Sequence, residues 1–172
     1  MKLVILDRDG VINYDSVDYI KSPEEWRAIP GSLEAIALLN KAGIKIAIAS
    51  NQSGLARGYF TEATLQNIHQ TMSHELAQYG GHIDKIFYCP HMSDDGCECR
   101  KPKPGLLLQA CDYFKVKPAE ASFVGDTEKD VIAAKAAGCQ PILVESGKVP
   151  LIMKADYANL FDYVQSLLGN NA

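Results

Sequence analysis

Two aspartates near the amino terminus are the residues best placed to do chemistry. Asp7 and Asp9 are separated by one residue and follow the apolar run Leu3–Leu6. Along an extended chain, side chains two positions apart share a face, so both carboxylates can converge on one small volume. Adjacent carboxylates repel each other unless one is protonated or a cation lies between them. The pair is therefore a candidate reaction centre, although Asp and Gly after a strand are also typical of an ordinary turn.

Further polar side chains follow two other apolar segments. Ser50 and Asn51 come after residues 44–49, and Asp126 follows residues 121–124. In a parallel sheet all these strand ends meet at one edge, where the amino ends of the following helices favour an anion. Clustered carboxylates suit a hard cation, and Mg²⁺ fits best because it accepts few protein ligands plus waters. The pattern indicates metal-assisted phosphoryl transfer.

The segment 89–99 carries a cluster of soft metal ligands: Cys89, His91, Cys97 and Cys99. Cys89 and His91 form one pair of ligands and Cys97 and Cys99 the other. Two such pairs, separated by a short turn, can close a tetrahedral Zn²⁺ site of three cysteines and one histidine. Four protein ligands leave no open position, so this Zn²⁺ would be structural. It would also hold the segment carrying Lys101 and Lys103, either of which could bind a phosphate oxygen.

Composition limits the classes of function. The chain has 172 residues, 47% of them hydrophobic, and a net charge of −4. These values predict a single globular domain over residues 1–172 and argue against nucleic acid or an anionic membrane surface as partner. The first apolar run is too short for a signal peptide, and none approaches the ~20 residues of a membrane span. We expect a cytoplasmic monomer that acts on a small molecule. In a cytoplasmic protein, clustered cysteines favour a metal site over disulfides.

Strands alternate with helices along the whole chain. Apolar runs predict strands at 3–6, 44–49, 83–88, 121–124 and 141–144, and a short strand near Tyr157. Helical spacing and start signals predict helices that begin at Ser32 as N-cap, after Thr61, at 104–105, at about Thr127 and at about Leu160. This alternation predicts an α/β fold with a doubly wound parallel sheet. No large insertion follows the first or second strand, so no separate cap domain is expected.

Four motifs, in order, resemble those of the haloacid-dehalogenase superfamily of phosphatases: Asp7-Arg8-Asp9-Gly10-Val11, Ser50, Lys101-Pro102, and Gly125-Asp126 with Asp130. The resemblance implies that Asp7 is a nucleophile forming an aspartyl phosphate. It implies that Asp9 is the general acid and then the base, which requires one ionised and one protonated carboxyl group. Ser50 and Lys101, rather than Lys103, would hold the phosphoryl oxygens.

The same resemblance implies a metal-ligand set. Asp7, Asp126 and the backbone carbonyl of Asp9 would bind Mg²⁺, with Asp130 as support. Arg8 is expected to point away from the site by alternation. His69 shows no partner pattern, so it is expected at the surface.

The cysteine-rich segment narrows the resemblance. Together with Asn51–Gly58 and Arg100–Gly105 it resembles the phosphatases that remove the 7-phosphate of D-glycero-D-manno-heptose 1,7-bisphosphate in the synthesis of nucleotide-activated heptose for lipopolysaccharide. Thr127 stands where that pattern leads us to expect lysine. Implied substrate contacts are Asp15, Ser16, Val17, Asp18, Asn51, Gln52, Ser53, Arg57 and Arg100.

Two alternatives remain at this stage. Histidinol-phosphate phosphatases share the zinc loop and act on a different phosphomonoester. A non-catalytic zinc-stabilised binding module is the other, but it leaves the four strand-end motifs unexplained.

Overall fold

The protein folds around one parallel sheet. The computed structural model describes residues 1–145, 151 and 153–169. The strands are β1 (Leu3–Leu6), β2 (Lys45–Asn51), β3 (Lys85–Cys89), β4 (Ala121–Gly125) and β5 (Gln140–Leu143). Their order in the sheet is β3-β2-β1-β4-β5, and every pairing is parallel. The predicted doubly wound α/β sheet is confirmed.

Helices cover both faces of this sheet. They are α1 (Ser32–Lys41), α2 (Glu62–Gln78), α3 (Gly105–Phe114), α4 (Glu128–Ala137) and α5 (Leu160–Gly169), with short 3₁₀ helices at Pro23–Glu25 and Pro118–Glu120. In the connections that follow β1 and β2, the described chain forms loops, one 3₁₀ helix and no separate domain. None of the helices in the described ranges is long and apolar enough to cross a membrane.

The central strand β1 is buried on both faces of the sheet. All four residues of β1 are fully buried. Val4 and Leu6 pack into one apolar cluster with α1, α2 and α5, whereas Leu3 and Ile5 pack into a second cluster with α3 and α4. An unbroken apolar run is therefore buried on both faces, as expected for a central parallel strand. The loop after β1 therefore starts from a strand that is packed on both faces.

Some element boundaries differ from the prediction. Gly31, not Ser32, caps α1, and the buried Ser32 hydroxyl instead donates to the Val11 carbonyl oxygen at 2.7 Å. This bond ties α1 to the loop that follows β1. The predicted strand near Tyr157 is only an isolated bridge to Val144. The Thr61 cap of α2 is confirmed, since its hydroxyl accepts from the Thr64 N–H at 3.1 Å.

Candidate active site

The carboxyl ends of β1, β2 and β4 meet at a cleft of about 290 Å³. The lining residues are Asp7, Asp9, Asp15, Ser16, Val17, Tyr19, Ser50, Asn51, Gln52, Ser53, Arg100, Lys101, Asp126, Thr127, Lys129 and Asp130. A roomier depression of about 690 Å³ lies between α1 and α5, but Glu34 is its only acid among the described residues. The concentration of carboxylates and cations marks the smaller cleft as the chemical site.

Three carboxylates cluster in this cleft. One oxygen each from Asp7, Asp126 and Asp130 lie within 4.8 Å of one another. Burial raises the pKa of Asp7 well above its ordinary value; Lys101 opposes this rise and the neighbouring carboxylates add to it. Burial, followed by the charges of Asp130 and Asp15, raises the pKa of Asp126 to about 7. A bound cation would relieve this repulsion, and the all-oxygen donor set fits Mg²⁺.

Gly10 makes this close approach possible. Its φ of +86° lies in the left-handed region that favours glycine. A Cβ at this position would collide with the Asp126 carboxylate. The loop after β1 therefore needs glycine here to pass beside the cluster.

Lys101 is the buried cation that lines the cleft, with only 4% of its side chain exposed. Its Nζ lies 3.0 Å from Asp7 Oδ1 and 3.0 Å from Asp130 Oδ1, and donates to the Ala49 carbonyl oxygen at 3.1 Å. Burial alone would lower the pKa of Lys101, but the charges of Asp130 and Asp7 outweigh it and raise that pKa. Lys103 lies outside the cleft lining, where its Nζ donates to the Cys97 carbonyl oxygen.

Side-chain amides position these groups. Asn51 Nδ2 donates to the Lys101 carbonyl oxygen at 3.2 Å, and Asn51 Oδ1 accepts from the Lys101 N–H at 3.0 Å. Gln52 Nε2 donates to the buried Ser50 hydroxyl oxygen at 2.8 Å. Both amides also line the cleft, so their predicted contacts with substrate stay a prediction, and the bonds seen here lie within the protein. Their geometry assigns them to holding Lys101 and Ser50 in place.

The Asp130 carboxylate has a comparable positioning role. Its Oδ2 accepts from the Asp126 N–H, the Thr127 N–H and the Thr127 hydroxyl at 3.1 to 3.2 Å. Asp130 and Thr127 thereby form a capping box at the start of α4. The turn that carries Asp126 is fixed as a result.

Asp9 is not one of the three clustered carboxylates, and its side chain is bonded to donors of its own. Its Oδ1 accepts from Arg8 Nε at 2.8 Å and from Asn13 Nδ2 at 3.0 Å, and its Oδ2 accepts from Arg8 Nη2 at 3.3 Å. Burial raises the pKa of Asp9, but Arg8 and Asn13 outweigh it, and the net pKa is lowered. Arg8 does not line the cleft, as expected from alternation, but its bonds to Asp9 were not predicted.

The pKa directions run opposite to the predicted division between nucleophile and acid. The pKa of Asp7 is raised and that of Asp9 is lowered. The cause is the placement of the cations: Arg8 is bonded to Asp9, whereas Asp7 shares Lys101 with Asp130. A divalent cation beside Asp7 would lower its pKa and favour its ionised form.

The second metal-ligand cluster lies in the loop after β3. One ligand atom each from Cys89, His91, Cys97 and Cys99 lie within 4.8 Å of one another. His91 Nδ1 is 3.4 Å from the Sγ atoms of Cys89 and Cys99, and the Cys89 and Cys97 Sγ atoms are 3.6 Å apart. Tetrahedral Zn²⁺ with ordinary bond lengths would separate two sulfurs by about 3.8 Å and a sulfur from a nitrogen by about 3.6 Å. The cluster fits a four-coordinate ion.

Most of the predicted substrate contacts line the cleft. The exceptions are Asp18, which lines a neighbouring pocket, and the exposed Arg57. Arg100 is positioned by the cysteine loop, because its Nη1 donates to the His91 carbonyl oxygen at 3.1 Å.

Three lining residues had no predicted role in the site: Tyr19, Thr127 and Lys129. The Tyr19 hydroxyl lies 3.3 Å from Ser53 Oγ, and its ring packs edge-on against Tyr59. No sequence motif indicated Tyr19. Lys129 could have been identified from the sequence as a candidate, because it lies two residues after Thr127, where lysine was expected.

Comparison with known proteins agrees with this geometry. The model of the haloacid dehalogenase-like hydrolases matches residues 7–138, and the chain belongs to this family. The resemblance inferred from the four motifs is confirmed.

Individual proteins of known name are also similar to this chain in sequence and in structure. The chain is 54% identical over 148 residues to the D-glycero-beta-D-manno-heptose-1,7-bisphosphate 7-phosphatase of Pseudomonas putida, covering 86% of this chain and 85% of the relative. It is 47% identical over 148 residues to the protein of the same name from Neisseria meningitidis, covering 86% of this chain and 79% of the relative. A crystal structure of D,D-heptose 1,7-bisphosphate phosphatase from Bordetella bronchiseptica with magnesium and phosphate superimposes with a TM-score of 0.92, at 47% identity over 99% of both chains.

Proposed function

We propose that this protein is a Mg²⁺-dependent phosphatase that removes the 7-phosphate of D-glycero-D-manno-heptose 1,7-bisphosphate and leaves the 1-phosphate. The observation that carries the proposal is the convergence of Asp7, Lys101 and Asp126 at one sheet edge. The heptose bisphosphatase names of the relatives, which match over most of both chains, support the choice of substrate.

Asp7 is the proposed nucleophile. Its carboxylate attacks the phosphorus of the 7-phosphate, and the bond from phosphorus to the sugar oxygen breaks as an aspartyl phosphate forms. Water then attacks the same phosphorus and releases inorganic phosphate. Lys101 Nζ, already 3.0 Å from Asp7 Oδ1, is well placed to bind a phosphoryl oxygen together with the Ser50 hydroxyl.

Asp9 is the proposed acid and base. It would donate a proton to the leaving sugar oxygen and then accept one from the attacking water. Its bonds to Arg8 and Asn13 and its lowered pKa favour the ionised form that accepts the proton from water. For the donor step, the negative charge of a bound phosphate would raise that pKa and favour the protonated form.

Mg²⁺ would be held by Asp7, Asp126 and the backbone carbonyl of Asp9, with Asp130 in support. When bound, it would supply positive charge that favours ionised Asp7 and neutralises the phosphoryl oxygens. The crowding of the Asp7, Asp126 and Asp130 carboxylates and the raised pKa values of Asp7 and Asp126 support this assignment.

Zn²⁺ is the ion we propose for the cysteine loop, with a structural role. The ligand separations support it, and Arg100 and Lys101 follow directly after Cys99. A cytoplasmic location, a single domain and a monomeric state stay predictions from the sequence, and size-exclusion chromatography tests the last.

A second phosphate on the substrate accounts for surplus cations in the cleft. Lys101 serves the transferred phosphoryl group, which leaves Arg100 and Lys129 among the lining residues for another anion. Histidinol phosphate carries an amine in place of a second phosphate, so the same cations would oppose it.

A rate panel tests the substrate. The heptose bisphosphate should exceed histidinol phosphate in kcat/KM by at least ~100-fold, or about 2.7 kcal/mol. Arg100→Ala should reduce that ratio more than it slows hydrolysis of p-nitrophenyl phosphate. Histidinol phosphate as the better substrate would overturn the heptose proposal and leave the mechanism intact.

A further inference from the structure

The guanidinium of Arg8 is unusual in being completely buried. Arginine is almost never fully buried unless its charge is paired. Here one edge of the guanidinium faces Asp9, with Nε at 2.8 Å from Oδ1 and Nη2 at 3.3 Å from Oδ2. The bidentate contact fixes the plane of the Asp9 carboxylate as well as its position.

The remaining guanidinium nitrogen contacts a helix far away in sequence. Arg8 Nη1 lies 3.2 Å from His69 Nε2, in the middle of α2. Arginine can only donate, so His69 Nε2 must accept and the imidazole must be neutral. Burial and the charge of Arg8 lower the pKa of His69 to about 4, which agrees with a neutral ring. His69 is half-buried on α2, and its inward contact with Arg8 was not predicted.

This contact couples α2 to the loop after β1. His69 and Asp9 bond to different nitrogens of one guanidinium, so the imidazole limits the directions in which the guanidinium can turn. Asn13 completes the arrangement, because its Nδ2 also donates to Asp9 Oδ1 and its carbonyl oxygen accepts from the Gly10 N–H at 2.7 Å. The Asp9 carboxylate is thus fixed by the loop and, through Arg8, by the helix.

We propose that Arg8 and His69 are positioning residues that orient the Asp9 carboxylate for proton transfer to the leaving oxygen. The inference rests on the proposed acid–base role of Asp9. Neither side chain needs to touch the substrate, since each acts through Asp9. Loss of the His69 acceptor would leave Arg8 Nη1 without this bond and would loosen the Arg8–Asp9 contact.

The leaving group provides the test. A sugar alkoxide needs a proton as it departs, whereas p-nitrophenolate leaves without one. His69→Leu should therefore lower kcat/KM about 10- to 100-fold for the heptose bisphosphate and less than about 3-fold for p-nitrophenyl phosphate. His69→Gln, which keeps an acceptor, should retain most of the sugar phosphatase activity. The matched control is His74→Leu, an exposed histidine of the same helix, which should leave both rates unchanged.

Equal losses on both substrates would indicate a packing role and overturn the inference, as would unchanged rates. If His69→Leu folds poorly, His69→Asn serves instead, because its shorter side chain withdraws the acceptor but keeps polarity. If the wild type fails on the heptose bisphosphate, the substrate proposal fails by itself. The inference is then tested on glycerol phosphate against p-nitrophenyl phosphate, as the alkyl and aryl esters.

Discussion

Removal of the buried lysine gives the sharpest test of the site's electrostatics. Lys101→Met keeps a chain of similar length but removes the charge that two buried carboxylates share, each 3.0 Å from Nζ. Removing one partner of a buried ion pair costs about 3–5 kcal/mol, because the other charge stays buried without compensation. We expect a loss of that size in the free energy of unfolding at pH 7 in Mg²⁺-free buffer.

The loss should depend on pH and on Mg²⁺. The folded-state pKa of Asp7 is already raised, and removal of Lys101 would raise it further. A carboxyl group with a raised folded-state pKa destabilises the fold as pH rises above its unfolded pKa of about 3.9. The deficit of Lys101→Met should therefore shrink as pH falls toward 4. Added Mg²⁺ should also reduce it, since the cation supplies part of the missing charge.

Urea unfolding followed by circular dichroism measures the effect. Lys103→Met, at an exposed lysine of the same segment, is the matched control and should change stability by no more than about 0.5 kcal/mol. If Lys101→Met costs less than about 1 kcal/mol, or no more than the control, Lys101 does not compensate the Asp7 and Asp130 charges as described.

Three further predictions concern the nucleophile and the two metal sites. Asp7→Asn should abolish turnover while the protein stays folded, and Asp9→Asn should be nearly as harmful; substantial activity in Asp7→Asn would rule out the aspartyl phosphate. Metal analysis should find about one zinc per chain, which Cys99→Ser loses together with stability, whereas Cys111→Ser, a buried cysteine outside the cluster, keeps it. Because the pKa of Asp126 is about 7, a proton competes with Mg²⁺ below that pH, and titration calorimetry should show several-fold weaker binding at pH 6 than at pH 8; equal affinities would contradict a role for Asp126 as ligand.

The features that could be predicted from sequence are those governed by local pattern. The unbroken apolar run at Leu3–Leu6 has apolar side chains on both faces of the strand, so both faces must be buried. This made a central parallel strand predictable. Parallel strands end at one edge, so Asp7, Ser50 and Asp126 had to approach one another. The cysteine cluster was predictable because all its ligands lie within residues 89–99, where spacing alone limits their separation.

Only the tertiary structure decided how the polar groups are partnered. Alternation places Arg8 on the face opposite Asp7, but it cannot show a long guanidinium turning back to Asp9 or reaching His69 on α2. Lys101 rather than Lys103 enters the cleft, where Asn51 at the end of β2 bonds to the Lys101 backbone from a distant part of the chain.

The same limit applies to the pKa values and to Arg57. The Arg57 N–H closes a local turn onto the Ser53 carbonyl oxygen at 3.0 Å, and the side chain stays exposed. The opposite pKa shifts of Asp7 and Asp9 depend on which cation lies beside each carboxylate. Such pairings join residues that are distant in sequence, and electrostatic interactions depend on distance and burial in the folded chain, which spacing along the sequence does not contain.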